Sequence, residues 1–512
     1  MSQPDLSPGV DPSNDSVFAL FEMAASAHPD RPFLIVDGQT MLTYGGMLDQ
    51  TARAAAWLRS CGVGLSDRVL VQAHKSPASV ILYLACLRAG AVFIPLNTTY
   101  QESELQYFLG DAEPALLVAS AGLPSETVAF DGARILIAGD LPSAAWAATV
   151  QTLPTVKADD QTPAAILYTS GTTGRSKGAV LTHGNLASNV LVLGKAWRWK
   201  DDDVLLHALP IFHAHGLFVA LHCALLGASP ILFHERFDAG AVLRDLPRAT
   251  VFMGVPTFYT RLLAEPAFDK ALCAGMRLFV SGSAPLLDTT FEEFVARTGH
   301  VILERYGMTE ALMITSNPYD GPRIAGSVGP ALPGVSVRVV AESGRGAAIG
   351  EPGVLELSGP NKFSGYWRNP EKTAQDHTAD GWFITGDIAT QDEAGYIRIV
   401  GRSKDLIISG GYNVYPKEVE MVIDAIDGVE ESAVIGVPHP DFGEGVVAVV
   451  ACTKGAAITP EDIAAVVNVE LASFKRPKAS IVVDHLPRNA MGKVQKAELR
   501  ALHNTLFAKS PV

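Results

Sequence analysis

Apolar residues recur at helical spacing over 17–27 and again over 48–58, while 31–37, 68–71 and 92–96 are short apolar runs of strand length. A strongly apolar segment, 78–89, ends at Gly90 and reads as a buried helix. Strand and helix alternate at this rhythm to about residue 330, which predicts an α/β body of layered parallel subdomains. The texture changes after Pro330. Residues 335–340, 353–358 and 396–400 are turn-bounded strands without long helices between them, as in a small β-rich subdomain. A compact piece follows, with strands at 406–408, 432–437, 446–452 and 480–483 and helices at 416–425 and from 460, an α+β pattern. The spacing places a boundary within 402–405, giving a large N-terminal domain over 1–403 and a small C-terminal one over 404–512. That segment is short and charged, so it reads as a hinge rather than a flexible tether.

At 512 residues the chain is too long for one ordinary core, which agrees with the two domains. Its net charge of −14 argues against nucleic acid or an anionic membrane surface as partner. Five scattered cysteines (Cys61, Cys86, Cys223, Cys273, Cys452) form no CxxC pair, so zinc and disulfide frameworks fail and a reducing compartment is expected. The N-terminal residues have neither a secretory nor a mitochondrial pattern. His222, Gly227, Ser229 and Pro230 interrupt the apolar run 216–233, which reads as a buried helix and then a strand. A soluble, cytoplasmic protein with small-molecule partners is the expectation; the oligomeric state is left open.

Chemistry concentrates at YTSGTTGRSKG, 168–178. Three glycines, hydroxyls and two cations after an apolar strand suit a loop that wraps a polyphosphate, although a plain polar connection has similar composition. It is not a Walker loop: no glycine follows Gly171 or Gly174 at the required five positions with Lys-Ser or Lys-Thr behind it. ERYGMTE at 304–310 sets a carboxylate and a hydroxyl beside an aromatic ring, suited to Mg²⁺ and a purine. Asp387 in a tight turn suits a ribose diol, and Arg402 adds a cation in reach of ribose or phosphate. Lys493 projects beyond Gly492, and Lys475, Arg476 and Lys478 form a small basic patch. Each of these has a bland reading as a turn or a solvated surface.

Together these stretches resemble the adenylate-forming superfamily of acyl-CoA synthetases, firefly-type luciferases and peptide-synthetase adenylation domains. YTSGTTGRSKG at 168–178, ERYGMTE at 304–310, TGD at 385–387, GRSKDLIISGGYNVYP at 401–416 and PRNAMGK at 487–493 occur in the family's order. The resemblance implies an ATP- and acid-binding N-terminal domain and a C-terminal domain that rotates about Lys404. It implies that Thr169, Ser170, Gly171, Thr172, Thr173, Gly174 and Lys177 handle the phosphates. Ser283, Ala284 and Pro285 with Tyr306 would line the adenine, and Glu304, Gly307 and Met308 would also bind ATP. Thr309 would hold phosphate, Glu310 and Thr169 the Mg²⁺, and Asp387 with Arg402 the ribose. Lys493 would bridge substrate carboxylate and α-phosphate. Ser409, Gly410, Gly411, Lys475 and Arg476 would meet CoA. The implied reaction joins an acid to CoA through an acyl-adenylate, releasing AMP and pyrophosphate.

Within the superfamily the resemblance is greatest to malonyl-CoA synthetases, through HALPIFHAHGLF at 207–218, MGVPTFYTRLL at 253–263, MRLFVSGSAPL at 276–286, TSNPYDG at 315–321 and HPDFGEGVVAVV at 439–450. It implies an acid pocket of His213, Ser281, Gly307 and Met308, with His213 also in a catalytic role and Arg277 holding the free carboxylate of a dicarboxylic acid. Arg277 paired with a neighbouring acid is the alternative. Ala311 and Ile314 stand where this group carries Thr and Asn, which favours a 2-alkylated malonate such as methylmalonate over malonate itself. An aryl or short-to-medium-chain monocarboxylate CoA ligase and a non-catalytic nucleotide-binding relative are the competing readings.

Overall fold

The computed structural model describes residues 16–120, 134–138, 143–169, 176–409, 412–471, 473–489 and 492–508. Two mixed sheets make the body of the N-terminal part. In one, strands Leu205–His207, Ile231–Phe233, Val251–Gly254, Leu278–Ser281 and Leu303–Met308 run parallel, extended at one edge by the antiparallel strand Leu312–Ser316 and at the other by Pro32–Val36 and Gln39–Thr43. In the other, Arg68–Gln72, Val92–Pro95 and Leu116–Ser120 are parallel, and the hairpin Pro163–Thr169/Lys177–Thr182 closes on Gly365–Tyr366. Val92–Pro95, Val251–Gly254 and Leu278–Ser281 are buried along their whole length, as parallel strands covered on both faces must be.

Local signals explain the elements. Helix Pro77–Ala89 starts with a Ser76/Ser79 capping box and Pro at its first turn and ends at Gly90. It is apolar all round because it is buried all round. Asp37 and Gly38, with φ of 48° and 78°, turn strand Pro32–Val36 back into Gln39–Thr43, a hairpin absent from the sequence reading.

Beyond 330 the texture change corresponds to a four-stranded antiparallel sheet, Ser336–Val340, Gly353–Ser358, Phe383–Gln391 and Ile397–Arg402. A 3-10 turn, Ser403–Asp405, leads from its last strand to the C-terminal sheet. There the long pair Val429–His439/Gly443–Cys452 is flanked by Ile407–Ser409, Tyr412–Val414 and Ala479–Val483. Helices Pro416–Asp424 and Pro460–Glu470 pack an apolar core of Val419, Ile423, Ile463 and Val467 against it. Among the described residues no helix is long and apolar enough to cross a membrane.

Candidate active site

Carboxyl ends of strands from both N-terminal sheets meet in one cleft, with Pro95, Leu96, Leu167, Tyr168 and Thr309 lining it, and ligands of open α/β sheets bind at such ends. Thr169 ends strand Pro163–Thr169 and faces Lys177 across the hairpin. Its hydroxyl donates to Glu310 Oε1 at 3.3 Å, and the Tyr366 hydroxyl donates to the same oxygen at 3.1 Å. The Lys177 ammonium lies 4.7 Å from the centroid of the Tyr366 ring. Burial pushes the Glu310 carboxyl up, opposed by the Tyr366 bond and the nearby cations Arg402 and Lys177. One carboxylate and one hydroxyl beside a lysine fit a Mg²⁺ ion, which takes few protein ligands and completes its shell with phosphate and water. Ser170, Gly171, Thr172, Thr173 and Gly174 lie outside the described residues.

The nucleoside end is assembled from three segments. Tyr306, on strand Leu303–Met308, donates its hydroxyl to Asp387 Oδ2, while Arg402 Nε approaches Oδ1 at 2.9 Å. Asp387 and Arg402 are register partners in the four-stranded sheet, so the pair is built by strand pairing rather than by loop geometry. Ser283, Ala284 and Pro285 follow the end of strand Leu278–Ser281, and just beyond them Leu286 N–H donates to Glu304 Oε1 at 3.4 Å. Glu304 Oε2 is buried without a partner. Burial raises this carboxyl to about 8, so at neutral pH it is a neutral acid with one oxygen still to satisfy.

That state has a measurable consequence. In the unfolded chain Glu304 ionises near 4.5, whereas in the fold it keeps its proton to about 8, so the fold loses stability as pH rises through this window. Glu304→Gln removes the ionisation. Its stability gain over the unsubstituted protein, read from urea unfolding, should widen by about 2–3 kcal/mol between pH 5.5 and pH 8. A gain that does not change with pH would contradict a neutral Glu304.

Lys493 comes from the C-terminal part. Asn489 and Lys493 close a tight loop, with Gly492 in the left-handed region, and Gly492 sits against Thr257 of the N-terminal domain. The Lys493 side chain still meets water in the open cleft. The protein crowded around it, and then repulsion from Arg402 and Lys404, lowers its ammonium to about 8, with Asp387 and Asp405 opposing. The structure thus brings Lys493 to the Asp387–Arg402 end of the cleft.

On the acid side, Phe212 and His213 with Leu167, Tyr168 and Thr309 border a small cavity. His213 packs on the Phe212 ring at 4.4 Å, its Nε2 is buried without a partner, and burial lowers it to about 4, so it is neutral at pH 7 and not an acid catalyst there. Ser281 Oγ is likewise buried and unpartnered. Gly307 and Met308 complete the strand that carries Tyr306. Ala311 and Ile314 are fully buried in the main core.

Arg277 is not part of this cleft. It precedes strand Leu278–Ser281, at the amino end of the sheet, roughly 13 Å of strand from Ser281. Its Nε donates to Asp203 Oδ1 at 2.6 Å, its Nη2 pairs with Oδ2, and its Nη1 donates to the Trp197 carbonyl at 3.1 Å. The expected carboxylate partner is therefore already supplied by the chain. Another buried cation is Arg305, which the sequence reading passed over inside ERYGMTE. Strand alternation puts it on the face opposite Glu304 and Tyr306. It is 2% exposed, and its Nε and Nη2 have no partner. Its guanidinium lies where a side chain on Gly282 would stand, with Cζ 2.5 Å from that Cβ position, so a side chain there would have to displace it. Burial lowers even this guanidinium to about 10, and its charge helps to hold neighbouring His215 neutral. His215 Nδ1 is 3.2 Å from the Ser283 hydroxyl.

The CoA candidates stay on their own domain in this pose. Ser409 is buried in strand Ile407–Ser409, Lys475 pairs with Glu418 at 2.6 Å, and Arg476 Nε donates to the Leu471 carbonyl at 2.9 Å. Gly410 and Gly411 lie outside the described residues.

Residues 21–367 match the AMP-binding enzyme family, and 418–493 match the AMP-binding enzyme C-terminal domain. The chain belongs to the AMP-binding enzymes. A feruloyl-CoA synthase of an Amycolatopsis species is 37% identical over 479 residues, covering 90% of this chain and 94% of that one. A mitochondrial malonate–CoA ligase of Mus musculus is 36% identical over 523 residues, covering 93% and 89%. The crystal structure of ATP-bound MatB from Rhodopseudomonas palustris superposes with a TM-score of 0.93 at 49% identity, over 96% of this chain and all of that one. As in other members of this family, the fold is mixed α/β with a separate C-terminal domain.

Proposed function

We propose that this AMP-binding enzyme is an acid–CoA ligase for a small dicarboxylic acid of the malonate or methylmalonate type. ATP and CoA are its co-substrates. The observation that carries the substrate is Arg305, a buried guanidinium with two unpartnered nitrogens that neighbours His215. An unpaired buried cation is expensive, and a second carboxylate on the substrate would supply its missing partner.

In the first step an oxygen of one substrate carboxylate attacks the α-phosphorus of ATP, and the bond to pyrophosphate breaks. Two anions must approach, and their repulsion at 4 Å is about 4 kcal/mol at an intermediate effective dielectric. Lys493 offsets it and stabilises charge that grows in the transition state. Asp387, Tyr306 and Arg402 hold the ribose, and Glu304 with the 283–285 segment meets the adenine. Thr169 and Lys177 steady the outer phosphates. Mg²⁺, held by Glu310 and Thr169, would add charge neutralisation at those phosphates when bound. In the second step CoA sulfur, having lost its proton, attacks the acyl carbon, and the bond to AMP breaks. Ser409 and the Lys475/Arg476 patch would serve this step after the C-terminal domain, beginning at about residue 404, turns about Lys404.

An acid panel at saturating ATP and CoA tests the substrate. Malonate and methylmalonate are expected to exceed butyrate, benzoate and ferulate in kcat/KM by at least about 100-fold, the value of one well-placed buried ion pair. Faster turnover of butyrate, benzoate or ferulate would replace the dicarboxylate reading with a monocarboxylate or aryl one. Absence of any acid-dependent pyrophosphate release would remove the ligase reading altogether.

A further inference from the structure

Between strand Leu205–His207 and helix Leu221–Leu226, residues His215–Ala220 form a π-helical turn. Such a turn needs a local cause, because its hydrogen bonding is poorer than that of an α-helix. Here the cause is an inserted side chain. His207 Nε2 donates to the Gly216 carbonyl at 2.9 Å, and the same carbonyl accepts Leu221 N–H from five residues on. The imidazole thus competes for the carbonyl that an α-helix would give to the residue four on. Gly216 is obligatory, since a Cβ there would lie 2.0 Å from the Pro210 carbonyl oxygen.

Behind His207 stands Lys75, buried with 8% of its surface exposed. Its ammonium is 3.0 Å from His207 Nδ1 and 2.8 Å from the His207 carbonyl oxygen, over the face of Phe233 at 4.5 Å. No carboxylate among the described residues forms an ion pair with it. The Gly216 carbonyl can only accept, so the imidazole proton must sit on Nε2, and Nδ1 accepts from Lys75 Nζ, which can donate as ammonium or, since burial lowers it well below the usual lysine range, as amine. The two residues are 132 positions apart. A buried lysine spent on one histidine is costly, and the place where that histidine acts is the turn that carries His213 and His215.

We propose that Lys75 and His207 are positioning residues for the acid pocket: the chain from ammonium to imidazole to the Gly216 carbonyl sets the π-turn that aims His213 and His215. The proposal rests on the reading of those two histidines as pocket walls, not on which acid fills the pocket. Ser283 and Arg305 receive His215 on the far side, so a turn relaxed to α geometry would shift His215 against both.

The test uses the full-length enzyme and whichever acid the unsubstituted protein turns over fastest, so that it stays separate from the choice of substrate. Lys75→Met, which fills the same apolar space, should raise KM for the acid at least tenfold while KM for ATP stays within twofold. His207→Phe should do the same. His207→Gln, whose amide can still donate to Gly216, should recover most of the loss. Equal changes in both KM values, or a His207→Gln variant no better than His207→Phe, would overturn the proposal. Selective ¹⁵N-histidine labelling of the unsubstituted enzyme gives a readout that needs no stable Lys75 variant. With His207→Gln used only to assign the signal, His207 should show a fixed Nε2–H tautomer. An Nδ1–H tautomer or an averaged pair would refute the relay.

Discussion

Lys493→Ala is expected to abolish adenylate formation while leaving thioester formation from supplied acyl-adenylate within a few-fold of normal. The reasoning is electrostatic. Lys493 is brought to the Asp387–Arg402 end of the cleft by a tight loop whose Gly492 rests on Thr257, and it shares that space with Arg402 and Lys404. It is the member of the group that the C-terminal part of the chain carries. Removing a preorganised charge from two approaching anions costs about 3–4 kcal/mol in such sites, or roughly 10²–10³ in rate. ATP–pyrophosphate exchange should fall by that factor. Under the two-step reaction proposed above, the C-terminal domain has turned and Lys493 has left before the thiol attacks, so the second half-reaction should be spared. Equal loss of both half-reactions would mean that one pose serves both. A pH signature accompanies the loss. Because crowding lowers this ammonium to about 8, kcat/KM for adenylation should decline above pH 8 as the charge disappears. Thioester formation should not share that decline.

What was legible in the sequence follows the range of the interactions involved. Helix Pro77–Ala89 could be read because its signals are local: a serine cap, a proline in the first turn and a glycine stop. The nucleotide constellation was legible as a set of motifs: Glu310, Arg402 and Lys493 sit at turns or a strand end, whereas Asp387, expected in a tight turn, lies within strand Phe383–Gln391. Their convergence was not legible from spacing; it depends on the register pairing of Asp387 with Arg402 and on a contact between domains. The π-turn was hidden for the same reason, since His207, which inserts into it, is backed by a lysine 132 residues before that histidine. The Asp37–Gly38 hairpin, by contrast, carried a readable turn signal between two apolar runs and was simply overlooked.

The two arginines show the same limit most sharply. Arg277 and Arg305 both border short apolar strands, and composition cannot rank them. Position in a parallel sheet can: Arg277 lies at the amino end of its strand, where Asp203, 74 residues earlier, takes both ends of the guanidinium. Arg305 lies within a strand that ends in the cleft, and period-two alternation separates it from Glu304 and Tyr306. An open carboxyl end of a parallel strand is where the search for a substrate cation should begin.

Arg305→Leu should therefore separate dicarboxylates from monocarboxylates. The guanidinium is buried and Nε and Nη2 have no partner in the chain, so its removal breaks no ion pair and takes away a desolvated charge. Thermal stability is expected to hold or rise, since replacing a buried unpaired charge by an apolar side chain relieves its desolvation cost. Catalysis should move the other way for one substrate class only. A substrate carboxylate left facing a leucine loses a buried charge-assisted pair, worth about 3–5 kcal/mol, so kcat/KM for malonate should fall by roughly 10²–10⁴. Butyrate, which has no second carboxylate to lose, should be unchanged or improved. Arg277→Ala provides the contrast: it strands the buried Asp203 carboxylate and should lower stability, while altering malonate and butyrate use alike. If malonate and butyrate fall together in Arg305→Leu, the unpartnered guanidinium does not hold substrate. If Arg277→Ala alone discriminates between them, the dicarboxylate site lies at the other end of the strand.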